Sequence, residues 1–240
     1  MSKENNSYYP ADPWGLAERA IKKRKRVFLY GPPGVGKSYL ASREGQPLSI
    51  TLSEDLTVQE LMGHWVPKGT EFKFHYGPIT TAFKEGLDLV LNEIGRASGS
   101  VHDFLLVILD GTEVARLTLP SGETVRPGPG FKVIATSNTP LADLGPALRS
   151  RFQAEVHLRS PHPELIKKLD RCYPGLGRAV ADSFKDPERA LDPRHVLSFV
   201  EMLDEGFTLQ DAALLAFGES GPDVLAALSA AGVRFPCDRS

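Results

Sequence analysis

Residues Gly31-Pro32-Pro33-Gly34-Val35-Gly36-Lys37-Ser38 spell G-x-x-x-x-G-K-[ST]. A phosphate group needs several donors at close range and a positive field. Glycines let the backbone curl so that successive N–H groups point inward with no side chain in the way. Lys37 then reaches the β- and γ-phosphates of a nucleotide, and the Ser38 hydroxyl serves Mg²⁺. The flanks fit this reading. Val27-Phe28-Leu29-Tyr30 is a short apolar strand, and Ser38-Tyr39-Leu40-Ala41-Ser42-Arg43 reads as a helix whose N-terminus adds dipole to the anion site. Tyr39, on its first turn, joins the loop as a nucleotide-contact candidate. Strand, phosphate loop and helix in this order imply an α/β fold. Ligands in such folds gather at the carboxyl ends of parallel strands.

A strand beside the loop must carry groups for the Mg²⁺ shell and the attacking water. Leu87-Asp88-Leu89-Val90-Leu91-Asn92-Glu93 has the buried-strand pattern with polar residues at its end. Phe104-Leu105-Leu106-Val107-Ile108-Leu109-Asp110 is a rival, but no glutamate adjoins Asp110. Glu93 supplies a base candidate, so the first stretch is taken as the site strand and the second as a helix packed on the sheet. Phe131 to Asn138 and Gln153 to Leu158 read as further strands, and Pro47 to Leu52 as another. Between the former two, Pro146 to Phe152 carries Arg149 and Arg151 in a short helical turn.

Two hairpins interrupt this pattern. Trp65-Val66 and Phe72-Lys73-Phe74 flank Pro67-Lys68-Gly69-Thr70, and Val114 to Val125 turns at Pro120-Ser121-Gly122-Glu123. Trp65 and Phe72 are read either as packed on the core or as presented to a partner. From Ser160 no strand appears. Pro163–Tyr173, Leu176–Phe184, Arg194–Glu205, Leu209–Phe217 and Pro222–Ala231 read as short helices. Three divisions follow: an extended arm over 1–13, a nucleotide-binding core over 14–159 and a helical domain over 160–240.

The 240 residues are 41% hydrophobic with a net charge of −2, which argues against a general pull to nucleic acid or membranes. The basic run Lys22-Lys23-Arg24-Lys25-Arg26 is read as a solvated helix end. Cys172 and Cys237 are far apart and read as reduced thiols. No signal peptide is visible in the polar start, and the expected location is cytoplasmic. The longest apolar run, Phe104 to Leu109, is too short to cross a bilayer. His64 and His75 lack a third ligand at metal spacing.

The order of phosphate loop, interrupted helix, apolar strand with Glu93, hairpin, strand with Asn138, Arg151-Phe152 and helical lid resembles the AAA+ ATPases. Within them it resembles the MoxR group, of the CbbQ, NorQ and GvpN type. The likeness covers roughly Leu16 to Leu203 and is most specific at Thr57-Val58 to Pro78, Leu89 to Ser98, Leu117 to Gly122 with Val133 to Asn138, and Leu148 to Phe152. It implies a P-loop core with a central parallel five-stranded sheet flanked by helices, plus a small all-helical C-terminal lid. It implies ATP and Mg²⁺ as ligands. Lys37 and Ser38 become the Walker A residues, and Glu93 becomes the Walker B glutamate that orients water. Asn138 becomes sensor 1, on a strand between those of the loop and of Glu93. Arg151 becomes the arginine finger, with Arg149 as the second candidate, and Arg194 becomes sensor 2. Residues 63–78 match the helix-2 insert and 114–125 the pre-sensor 1 hairpin, which in relatives face the ring pore or the partner.

One position departs from the family pattern: Asn92 stands where the family has Asp. Its carbonyl can accept hydrogen bonds from Mg²⁺-bound water but brings no charge. Three readings follow. The first is a ring ATPase, expected to be a hexamer, that remodels a client or a von Willebrand A domain partner. The second is an ATP-gated scaffold with little hydrolysis. The third is a nucleic-acid motor, against which the balanced composition argues.

Overall fold

The computed structural model describes residues 10–43, 45–111 and 114–235. Positions 1–9 of the expected arm and Cys237 lie outside the described residues, and Cys172 is exposed. The chain divides into two compact units. One holds everything described up to Gly31 and from Lys37 to Leu158; the other holds Pro32–Gly36 and everything described from Arg159 onwards. The division falls between Leu158 and Arg159, and the phosphate loop itself is shared out, its first and last residues with one unit and its middle with the other.

The first unit opens with α1 (Pro13–Lys23), whose start is capped by the Asp12 carboxylate accepting from Gly15 N at 2.8 Å. Then come β1 (Arg26–Tyr30), α2 (Lys37–Ser42) and β2 (Leu48–Thr51). Helix α3 (Val58–Met62) begins with a capping box: Thr57 Oγ1 accepts from Glu60 N, and Glu60 accepts in return from Thr57 N at 2.8 Å. Strands β3 (Gly63–Lys68) and β4 (Glu71–Tyr76) form the first hairpin. Helix α4 (Pro78–Glu85) follows, then β5 (Asp88–Asn92) and α5 (Gly99–Ile108). Strands β6 (Leu117–Thr118) and β7 (Thr124–Val125) form the second hairpin, only two residues to a side. Strand β8 (Lys132–Ser137), the four-residue α6 (Pro146–Arg149) and β9 (Ala154–His157) complete the unit.

Five of these strands make one parallel sheet in the order β2-β5-β8-β1-β9. Strand β8 therefore separates β1 from β5, and the ends of all three come side by side. Alternation along β1 sends Val27 and Leu29 to one face and Phe28 to the other, all three fully buried. Helices α1 and α2 contact strands β1, β9, β8 and β5. Phe28, Leu89 and Leu91 belong to the main core with Leu61, Phe83, Phe104, Leu105 and Ile108 from α3, α4 and α5. The stretch Phe104 to Asp110 is thus a helix with its C-terminal turn. Burying side chains of this size contributes about 1.5–3 kcal/mol each. Substituting the fully buried Phe83 would remove a ring that also meets Phe131 edge-on at 5.2 Å.

The basic run is corrected at its last residue. Lys22 to Lys25 are exposed, but Arg26 opens β1, is half-buried and donates from Nη1 to the Asp110 carbonyl at 2.7 Å. Strand pairing to β8 pulls it off the surface, because its backbone must lie in the sheet.

The second unit contains α7 (Pro163–Cys172), α8 (Leu176–Ser183), α9 (Pro193–Asp204), α10 (Leu209–Phe217) and α11 (Gly221–Ala230). Their apolar faces close a separate core around Leu169, Leu176, Val180, Val196, Phe199, Val200 and Leu228. Among the described residues no helix is long and apolar enough to cross a membrane.

Candidate nucleotide site

The phosphate loop leaves β1 at Gly31, whose φ is 152°. A Cβ there would come within 1.9 Å of the Leu158 carbonyl oxygen, so the position has room only for glycine. In the second unit, Gly34 has φ 74° and lies so close to Asp192 that a Cβ would meet its carboxylate at 2.2 Å. The same unit holds the loop at Val35, whose carbonyl accepts from His162 N at 2.8 Å.

Lys37 is 6% exposed, a burial that an ammonium tolerates only when its protons find acceptors. Its Nζ donates to Gly31 O at 2.8 Å and to Asn138 Oδ1 at 2.9 Å. The other end of the same amide, Asn138 Nδ2, donates to both carboxylate oxygens of Glu93 at 3.2 Å. Asn138 thus links cation to anion with each of its polar atoms in the matching role. It can do so because β8, which it follows, lies between β1 and β5. Glu93 sits directly after β5 with φ 56° and ψ 43°. It is the one described non-glycine residue with positive φ. That left-handed turn stops the strand and redirects the chain into the next 3₁₀ turn, Ile94–Arg96.

Asn92, one residue earlier, faces hydroxyls. Its Oδ1 accepts from Ser38 Oγ at 2.6 Å and from Thr136 Oγ1 at 3.1 Å, while its Nδ2 donates to Ser49 Oγ at 3.0 Å. Ser38, Asn92, Ser49 and Thr136 come from α2 and from β5, β2 and β8. They form a compact set of neutral oxygen donors, which suits a hard, partly hydrated cation such as Mg²⁺.

Tyr39 is exposed on α2. Arg149 is exposed at the end of α6. Arg151 is half-buried, with Nε 3.6 Å from Asp110 Oδ1. In the second unit, Arg194 begins α9 and grips Asp192 with two nitrogens, the shorter contact being Nη2 to Oδ2 at 2.6 Å. Burial alone would raise the Asp192 pKa, but the side-chain and backbone hydrogen bonds from Arg194 hold it below the usual carboxylate value.

Residues 26–152, from the start of β1 to just beyond α6, match the AAA domain of the dynein-related subfamily. The chain belongs to the AAA ATPases, in their MoxR-type branch. It is 32% identical to protein NorQ of Paracoccus denitrificans over 181 residues, 71% of this chain and 66% of NorQ. It is 30% identical to protein CbbQ of Hydrogenophilus thermoluteolus over 203 residues, 80% of this chain and 73% of CbbQ. A single-residue variant of Thermotoga maritima RuvB superposes with a TM-score of 0.50 at 19% identity, covering 90% of this chain and 66% of that one; this likeness concerns the fold alone.

The AAA site holds residues that a linear reading passes over. Ser49 and Thr136 orient Asn92, yet they are far from it in the chain and meet it only through the β2–β5–β8 pairing. Thr136 lies near the polar end of an apolar strand, whereas Ser49, inside the alternating β2, carries no such signal. Asp192 caps the start of α9 and also holds the Arg194 guanidinium. Asp110 was weighed as a rival strand end, whereas it faces two arginines.

Proposed function

We propose that the chain hydrolyses ATP in a ring of its own copies, with six as the expected number, and uses the cycle to remodel or activate a partner protein. The observation that carries this is the Lys37–Asn138–Glu93 chain of hydrogen bonds. Phosphoryl transfer depends on positioning and charge stabilisation, and this chain fixes a phosphate-binding cation beside a water-orienting carboxylate. Lys37 and the backbone N–H groups of Gly34 to Ser38 bind the phosphates, and Glu93 orients and deprotonates the attacking water. Asn138 holds both partners and would donate to the γ-phosphate. Ser38 and Asn92 would hold Mg²⁺, partly through water; when bound, the ion neutralises charge on the phosphate oxygens. Arg194, in the unit that contains Pro32–Gly36, acts on the bound phosphates.

Arg151 serves the nucleotide of a neighbouring copy, an arrangement that requires head-to-tail contacts and hence a ring or spiral. The β3–β4 hairpin offers the partner an apolar edge, with Phe72 68% and Trp65 47% exposed. A von Willebrand A domain protein is the expected partner, and the expected setting is the cytoplasm.

The test is ATP turnover with Mg²⁺ across a protein concentration series. Specific activity should rise with concentration and vanish in Lys37→Ala, Glu93→Gln and Arg151→Ala. Tight ATP binding without turnover at any concentration would instead favour an ATP-gated scaffold, the reading that the neutral Asn92 supports.

A further inference from the structure

We propose that Asp110 is a positioning residue that aims Arg151 at the site of the neighbouring copy. The inference rests on Arg151 acting in trans, as set out above. Asp110 follows the end of α5 and is pinned twice. Its carbonyl accepts from Arg26 Nη1 at 2.7 Å, and its carboxylate Oδ1 accepts from Gly111 N at 2.9 Å. Its position and rotamer are therefore fixed by the sheet and by its own turn. The same Oδ1 lies 3.6 Å from Arg151 Nε. At that distance the attraction is an ion pair rather than a hydrogen bond. It engages the inner nitrogen of the guanidinium, so the terminal Nη1 and Nη2 are outside the pair. Nη1 makes a marginal contact, 3.5 Å to Ser150 Oγ. An arginine that must recognise phosphate oxygens needs that outer fork available.

Arg26 sharpens the geometry. Burial lowers its pKa, Asp110 opposes that shift, and the nearby charge of Arg151 lowers it further. One guanidinium thus meets the Asp110 carbonyl and the other its carboxylate. Arg26 is the fixed one, anchored in β1. The ion pair with Asp110 holds Arg151 in place against the like charge of Arg26. With the Asp110 charge removed, repulsion is uncompensated and the Arg151 side chain scatters over several rotamers. A misplacement of about 1 Å at a reacting centre costs on the order of a hundredfold in rate.

The experiment compares Asp110→Asn, Asp110→Glu and Arg151→Ala, each alone and each mixed one-to-one with Lys37→Ala. A Lys37→Ala copy has an impaired phosphate loop and an intact Arg151. Asp110→Asn alone is expected to lower turnover about a hundredfold with ADP affinity unchanged, and Asp110→Glu to recover part of it. Mixed with Lys37→Ala, both Asp110→Asn and Arg151→Ala should regain about a quarter of wild-type turnover, the share of interfaces that pair an intact loop with an intact arginine. A merely structural role for Asp110 would not be rescued by another copy. If the Arg151→Ala mixture recovers and the Asp110→Asn mixture does not, or if Asp110→Asn alone turns over normally, the positioning role is wrong. If the Arg151→Ala mixture fails to recover, the trans role of Arg151 is wrong and the inference falls with it.

Discussion

The Lys37 ammonium donates to the Asn138 side-chain carbonyl at 2.9 Å, which ties the first residue of α2 to the end of β8. The same amide donates to Glu93 at 3.2 Å. Asn138→Ala severs both links and leaves a buried lysine with one acceptor fewer. Turnover should fall about a hundredfold or more, the usual cost of losing one preorganised donor, while ADP affinity changes only a few-fold. Steady-state kinetics beside equilibrium ADP binding checks this; equal losses in both would mean that Asn138 only supports the loop.

Asn92 lies among three hydroxyls, each able to donate as well as accept. Asn92→Asp therefore fits the same cradle: Ser49 turns its proton toward the new oxygen instead of accepting from an amide. The added charge should lower the Mg²⁺ concentration for half-maximal turnover and raise the maximal rate, with thermal stability nearly unchanged. A Mg²⁺ titration of both forms is the measurement. Identical curves would show that the missing charge has no catalytic consequence.

Gly31→Ala places a methyl group against the Leu158 carbonyl, 1.9 Å away before any adjustment, at a backbone angle that L-residues rarely adopt. The loop must shift to relieve the clash. Nucleotide affinity should weaken by roughly 1–3 kcal/mol, the scale of a strained backbone residue, read directly as the change in ATP dissociation constant.

The two hairpins meet at a polar node. Tyr76 Oη and Lys84 Nζ donate to Glu123 at 2.5 and 2.8 Å, and Lys84 also donates to Tyr76 Oη at 2.8 Å. The hydrogen bond from Lys84, then that from Tyr76, lowers the Glu123 pKa; the hydrogen bond to Glu123 raises that of Lys84. The depressed carboxylate contributes stability above its unfolded pKa and loses it as pH falls through the folded value. The raised lysine contributes below its unfolded pKa and loses it as pH climbs through the folded value. The Tm difference between wild type and Glu123→Gln should thus be flat near neutral pH and shrink toward acid and strong alkali. It should also shrink with salt, since the groups are solvated. Amide exchange across Gly63–Tyr76 should quicken in the same variant.

The sheet and the phosphate loop were legible because apolar runs ending in polar residues carry their meaning locally. Val27–Tyr30 before the glycines and Leu87–Glu93 with its terminal carboxylate each needed only their own neighbours. The cradle around Asn92 was not legible in that way. Ser49 and Thr136 reach it through strand register, which pairs residues dozens of positions apart. Arg26 misled for a related reason: within a run of five cations its solvated neighbours dominate, and only pairing to β8 reveals that it must turn inward. Phe72 and Trp65 were ambiguous because an aromatic hairpin pattern looks the same whether it covers a core or faces outward.

Glu93 holds a left-handed backbone that a side chain adopts reluctantly, at a cost of roughly 1–3 kcal/mol. Glycine would sit there with less strain. Glu93→Gly should melt higher than wild type while losing turnover. Stability and chemistry therefore pull this position in opposite directions: the glycine that would relax the turn has no carboxylate to meet Asn138.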